Sequence, residues 1–138
     1  MEPIDFLLIS KKNKLELRIK NSSAVDVLVN KKFSLGPAGK RGNIELYFTD
    51  NKGVVHELSA KINYSKGTDS DLIVLSPNEF IEKEIDHDEL IRYYNLGSGH
   101  YTVKGIYKNS FGEDKGAYMG KINSSSITIE IKHNDFFK

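Results

Sequence analysis

The densest cluster of ligating and titratable side chains is the run EKEIDHDEL, where Glu82, Glu84, Asp86, His87, Asp88 and Glu89 fall within nine residues. Carboxylate oxygens with an imidazole nitrogen are the donors of a hard-cation or mixed oxygen and nitrogen metal site. Their spacing opposes that chemistry. Successive residues of an extended chain point to opposite faces, and the run lacks calcium-loop spacing, so it reads as a solvated strand face leading into a capped helix. No metal site is expected. Asp69 and Asp71, in GTDSD, read as turn residues. The histidines, His56, His87, His100 and His133, include no pair at i, i+4 spacing. The chain has no cysteine, which excludes disulfides, zinc-thiolate sites and thiol nucleophiles together. Ser, His and Asp are plentiful, yet GSGH falls one residue outside the Gly-x-Ser-x-Gly elbow of a hydrolase nucleophile. No catalytic residue and no cofactor is assigned, and the expectation is a chain that is not an enzyme.

The stretch NLGSGHYTVKGIY (95–107) raises phosphate chemistry, because two glycines around a serine could cradle a phosphate. A dinucleotide loop needs a third glycine, a preceding strand and a following helix. Here the third position holds Thr102, and Tyr101, Val103 and Tyr107 follow at even spacing, which is strand periodicity. The order of elements is wrong for phosphate and right for a tyrosine corner, in which a Tyr opening a late strand bonds its hydroxyl to backbone just upstream. Leu96 would plug the core, Gly97 to Gly99 would make the turn, and Tyr101 would be the corner residue.

Strands must position these groups. Alternation of apolar and polar residues is clearest in LELRIK (Leu15, Leu17, Ile19), NIELYFT (Ile44, Leu46, Phe48) and SITIEIK (Ile127, Ile129, Ile131), with charged residues and Thr on the opposite, wet face. Further strands are expected over 4–10, 24–30, 54–59, 71–76, 79–85, 100–108 and 117–122, about ten short strands in all. The DNKG between NIELYFT and VVHELS favours a hairpin, so those two strands should pair. DHDELIRYYN interrupts the pattern, with Asp86 and Glu89 in capping-box spacing before Leu90, Ile91, Tyr93 and Tyr94. A single domain over 1–138 is expected, since no repeat, low-complexity tract or linker divides the chain.

The order LELRIKNSS, NIELYFTDNKG, LSPNEFIEKEID, LGSGHYTVKGIYKNS and GKINSSSITIEI resembles the immunoglobulin-like sandwich domains of small bacterial proteins. It is similar in layout to the bacterial intracellular proteinase inhibitor family and to propeptide-like domains beside some metalloendopeptidases. The residues that carry the likeness are Asn21 at a strand end, the turn Leu75-Ser76-Pro77-Asn78-Glu79, and Gly99-His100-Tyr101-Thr102-Val103. They span roughly 14–132 and specify turns and core positions. Ser98-Gly99 stands where Pro-Gly is usual, and Tyr118 and Met119 stand where a Trp is usual. The resemblance implies an all-β, immunoglobulin-like sandwich of two antiparallel sheets with one short crossing helix near 86–95.

It also implies a non-catalytic protein-binding module, with a protease as the sharpest form of partner. In a rigid sandwich recognition falls to loops. The candidates are 36–43 (GPAGKRGN), with Lys40 and Arg41 at its tip, and 109–116 (NSFGEDKG), with Phe111 as an exposed anchor. Two alternatives stay open: a carbohydrate-binding or accessory domain using exposed Tyr and Phe on one sheet face, and a structural or assembly subunit pairing through an edge strand. A net charge of +1, with Lys and Glu alternating along the same segments, argues against nucleic acid. No apolar run approaches the roughly 20 residues of a membrane span. The compartment is open: cytoplasmic for a full-length chain, secreted or periplasmic for one from which a signal peptide was removed.

Overall fold

The structure, a computed structural model, describes residues 2–36, 43–59 and 67–132. Its strands are β1 (Ile4–Lys11), β2 (Lys14–Asn21), β3 (Val27–Asn30), β4 (Ile44–Thr49), β5 (Val55–His56), β6 (Leu72–Leu75), β7 (Phe80–Asp86), β8 (Gly99–Asn109), β9 (Gly120–Asn123) and β10 (Ile127–Ile131). One helix, α1 (His87–Tyr94), lies between β7 and β8. The strands pair antiparallel throughout. β1, β2 and β7 form one sheet in the order β1-β2-β7, and a second runs β10-β8-β4-β5 with β9 also on β8. β3 and β6 form a separate two-stranded ribbon.

The alternation seen in the sequence sets the sandwich. Leu15, Leu17 and Ile19 of β2, with Ile4, Phe6 and Leu8 of β1, turn inward and are buried. So do Ile44, Leu46 and Phe48 of β4 and Tyr101, Val103 and Tyr107 of β8. These faces share one hydrophobic core, with Phe6 and Tyr107 meeting at a ring-centroid distance of 6.4 Å. The chain is all-β and sandwich-like. β5 is shorter than expected: its ladder with β4 holds only Val55 and His56, although the hairpin forms as its turn residues require. There the Asp50 Oδ1 accepts from the amides of Lys52 and Val54, and Gly53 takes a φ of 84°.

The segment 86–96 closes one end of the core. Asp86 caps α1, with its amide donating to Glu89 Oε1, and the apolar stripe buries Leu90 and Tyr94. Asn95 ends the helix in the left-handed region at φ 53°, and Leu96 is buried. Tyr94 packs on Phe48 with ring centroids 4.7 Å apart.

Two quoted motifs meet in space. Asn21, at the end of β2, donates from Nδ2 to the carbonyls of Leu75 (2.8 Å) and Val25 (2.7 Å), and its backbone bonds Asn78 and Glu79. Pro77 and Asn78 occupy the two central positions of a turn closed by the Glu79 amide on the Ser76 carbonyl, with Asn78 at φ 71°. That is type II geometry, which demands a residue tolerant of positive φ at its third position.

The outward faces are less uniformly wet than alternation suggests. Glu16 and Glu45 point away from the core, yet they are 0% and 3% exposed. Long cations fold over them: Lys11 Nζ lies 2.7 Å and Arg18 Nη2 2.6 Å from the Glu16 carboxylate, and Lys108 Nζ pairs with Glu45. Burial alone would raise the Glu16 pKa, but hydrogen bonds from Lys11 and Arg18 outweigh it and leave the carboxyl below its ordinary range.

Candidate functional site

The glycine stretch that suggested a phosphate loop is scaffold. Tyr101 Oη accepts from the Gly97 amide at 2.9 Å and donates to the Gly97 carbonyl at 3.0 Å, with the ring 4% exposed. This is the corner expected from the sequence, and it fixes how α1 feeds into β8. His56 packs edge-on against the same ring at 5.5 Å. Its Nε2 faces Asp50 Oδ2 at 3.1 Å and its Nδ1 faces the Asn95 carbonyl at 3.2 Å, so it ties the β4–β5 hairpin to the end of α1. The hydrogen bond from His56 holds the Asp50 carboxyl below its usual pKa.

The acidic run is absorbed structurally. Glu82, Glu84 and Asp86 alternate along the outward face of β7, opposite Arg18, Glu16 and Lys14 of β2. Glu84 pairs with Lys11 (3.0 Å) and Lys14 (3.6 Å), and Glu82 lies 3.5 Å from Arg18 Nη2. Asp86 and Glu89 cap α1. His87 Nε2 is buried without a hydrogen-bond partner among the described residues, and burial pushes its pKa down. Among the described residues, which do not include His133, no group of three or more His, Cys, Asp or Glu is placed to hold a metal ion.

Of the two loops expected to carry recognition, 36–43 lies mostly outside the described residues, and Lys40 and Arg41 lie outside them entirely. Its neck is described: the Gly36 amide bonds the Ile44 carbonyl, and the amides of Asn43 and Ile44 both reach the Ser34 carbonyl. Loop 109–116 is described in full. Asn109, 6% exposed, donates from Nδ2 to the carbonyls of Phe111 and Tyr118 at 2.8 Å, and its Oδ1 accepts from the Phe111 amide and from Asn30 Nδ2. Phe111 is half-buried, with its ring over Gly67, so part of it anchors the loop and part reaches the surface. Beyond it a 3-10 turn, Glu113–Lys115, stands exposed between Gly112 (φ 91°) and Gly116 (φ 83°). Lys115 Nζ lies 3.5 Å from Asp69 Oδ2.

A third feature lies on the outward face of the larger sheet. β9 and β10 follow one another along the same edge of β8, and the three serines between them, Ser124 to Ser126, oppose only Lys104 and Gly105. This is a β-bulge. Ser124 bridges it, its amide donating to the Gly105 carbonyl and its Oγ accepting from the Gly105 amide, both at 2.8 Å. The ladder breaks there, and a half-open cleft of about 650 Å³ lies between the bulge and β5. Tyr47 sits in it, directly across from Lys104, and Ile106 directly across from Asn123. Val55, Thr49 and Glu57 line the β5 side. The Tyr47 hydroxyl donates to Glu45 Oε1 at 2.6 Å, a bond that pushes its pKa up to about 12.

Sequence reasoning did not single out this cleft. Alternation in NIELYFT already turns Tyr47 outward, but the bulge that opens the cleft depends on a three-residue against two-residue mismatch that only pairing reveals. No helix among the described residues is long and apolar enough to cross a membrane. No protein-family model matches the chain, and no curated protein matches it.

Proposed function

We propose that this chain is a non-catalytic protein-binding module, an immunoglobulin-like sandwich that presents loop 109–116 to a partner, with a proteinase-inhibitor-like role as its sharpest form. The observation that supports it is the Asn109 side chain, which holds the loop through four hydrogen bonds while Glu113, Asp114 and Lys115 stay exposed. A loop already held in one conformation loses little entropy on binding, which is how a small surface reaches useful affinity. The charged tip suits a groove with polar walls, and the half-buried Phe111 supplies apolar contact at its base. The test is an inhibition series against serine proteases and metalloproteases, with parallel binding to their inactivated forms. Binding by one class, lost when Glu113, Asp114 and Lys115 are all changed to Ala at unchanged melting temperature, supports the proposal. Absence of inhibition and binding across both classes refutes the inhibitor form.

A second reading, assembly through an edge, is favoured by β6. Its segment LIVL carries no charge, Val74 is 54% exposed, and β6 pairs on one side only among the described residues. Charged side chains are the usual guard of a sheet edge, and β7 has them where β6 does not. A mass by light scattering that rises with concentration, and falls back in Val74→Lys, supports this reading.

A further inference from the structure

We infer that the cleft at the β8–β9 bulge is a binding site for a neutral saccharide of one or two rings. This does not rest on the loop proposal; it uses the outward face of the larger sheet and different residues.

The polar groups of the cleft divide into two kinds. Some are already engaged: the Tyr47 hydroxyl by Glu45, Glu45 by Lys108, and Ser124 Oγ by Gly105 and Ser125. The Lys104 ammonium, the Glu57 carboxylate, the Asn123 amide and the Thr49 hydroxyl have no hydrogen-bonding or ion-pair partner among the described residues. Those free groups supply donors (Lys104, Asn123, Thr49) and acceptors (Glu57, Asn123, Thr49) around one cleft. One cation and one anion leave the lining without net charge, so it selects neither a phosphate nor a cation. What suits such a lining is a neutral molecule rich in hydroxyls, each able to donate and accept.

The apolar part of the cleft supports the same class. Because the Tyr47 hydroxyl is held by Glu45, the side chain is fixed and offers its ring rather than its hydroxyl. Lys104 Nζ lies 6.0 Å from the ring centroid, so an ammonium donor and an aromatic face share one edge of the cleft. Ile106 and Val55 extend the apolar floor on either side. A pyranose has an apolar C–H face and an equatorial rim of hydroxyls, and the cleft pairs an aromatic and aliphatic floor with polar walls. Its volume lies within the range of small-molecule sites, about 300 to 1,000 Å³.

The experiment is an amide-resolved NMR titration of the full chain with a panel of neutral mono- and disaccharides, and with a charged probe pair, inorganic phosphate and a Gly-Tyr-Gly peptide. Saturable shifts from at least one sugar at the amides of Lys104 to Ile106 and Asn123 to Ser124, without such shifts from phosphate, are expected. Tyr47→Ala should weaken binding about tenfold. Asn123→Ala, a substitution at an exposed edge position, should weaken it severalfold with the rest of the spectrum unchanged, which keeps the test open should Tyr47→Ala disturb β4. Absence of cleft shifts with every sugar, shifts that survive Asn123→Ala undiminished, or saturation by the peptide alone overturns the inference.

Discussion

Gly105 leaves no room for a side chain between the two sheets, and Gly105→Ala tests whether that close packing governs stability. A Cβ at this position would lie 2.9 Å from Phe6 Cε2, 3.0 Å from Leu46 Cδ2 and 3.3 Å from the Glu45 carbonyl oxygen. Phe6 comes from the opposing sheet and Leu46 from the neighbouring strand, and they are 2% and 3% exposed, so neither can swing into solvent. Overpacking a close-packed core costs about 1 to 3 kcal/mol. Losing the backbone freedom of glycine in the unfolded chain returns about 0.4 to 1 kcal/mol. The balance is a loss of about 1 to 2 kcal/mol, which for a chain of this size lowers Tm by about 3 to 8 °C. Urea denaturation should show a lower midpoint at constant slope, as a pure stability change requires. Gly97→Ala is the internal control: a Cβ there would meet nothing within 4 Å and its φ is not positive, so the change should be neutral or slightly stabilising. Trimming the colliding ring with Phe6→Leu should recover part of the Gly105→Ala loss, a non-additivity that only contacting residues show. A Gly105→Ala protein that melts at or above the parent temperature refutes the packing argument.

Tyr101→Phe removes a hydroxyl that both donates to and accepts from Gly97, so it should cost about 1 to 3 kcal/mol while leaving partner binding intact; lost binding at unchanged Tm would reverse its assignment to scaffold. Asn21→Ala strips two carbonyls of their donor and should cost about 2 to 4 kcal/mol, with hydrogen exchange accelerating around Leu75 to Glu79. His87 resists protonation in the folded state because its half-buried ring is partly desolvated, whereas the unfolded chain takes up that proton near the ordinary value of 6.5. Stability therefore falls as pH drops below 6.5, and His87→Gln should flatten the urea midpoint against pH between about 7 and 5; an unchanged slope refutes it. Asp50 carries the opposite linkage. Its folded carboxyl lies below the ordinary 3.8, so the stability it contributes is present above that value and is lost as pH falls through the folded pKa; Asp50→Asn should remove that acid-side loss.

Much of the fold was legible because it rests on local signals. Each of the ten segments expected as strands overlaps one, since period-two alternation and turn residues act over a few positions and their reasons are steric. The capping spacing of Asp86 and Glu89, the turn at Pro77 and Asn78, and the corner at Tyr101 are equally local. What stayed hidden is what pairing creates. Nothing in KGIY or INSSSI announces that three residues oppose two, yet that mismatch breaks the ladder beside the cleft at Tyr47. The fate of Glu16 was hidden for the same reason: alternation assigns it to the wet face, and only the register with Arg18 beside it and Lys11 across β1 shows why it is covered.

The outward faces of the two sheets are therefore unlike, and the difference bears on where a ligand could bind. On the β1-β2-β7 face the charged side chains satisfy one another: Glu16 with Lys11 and Arg18, Glu84 with Lys11 and Lys14, and Arg18 stacked 3.9 Å from the Phe80 ring centroid. A ligand there would have to displace partners already in place, and moving Lys11 or Arg18 would leave the buried Glu16 carboxylate without its cations. On the larger sheet the pairing of Glu45 with Lys108 and Tyr47 stops at the bulge, and beyond it Lys104, Glu57 and Asn123 face a cleft rather than each other. A ligand meeting those groups replaces only water. The loop at 109–116 shares this property in a different form, because its backbone is satisfied by Asn109 while its charged tip is left to solvent. If the cleft and the loop bind as proposed, the cost of holding the protein still is met inside the fold in both places.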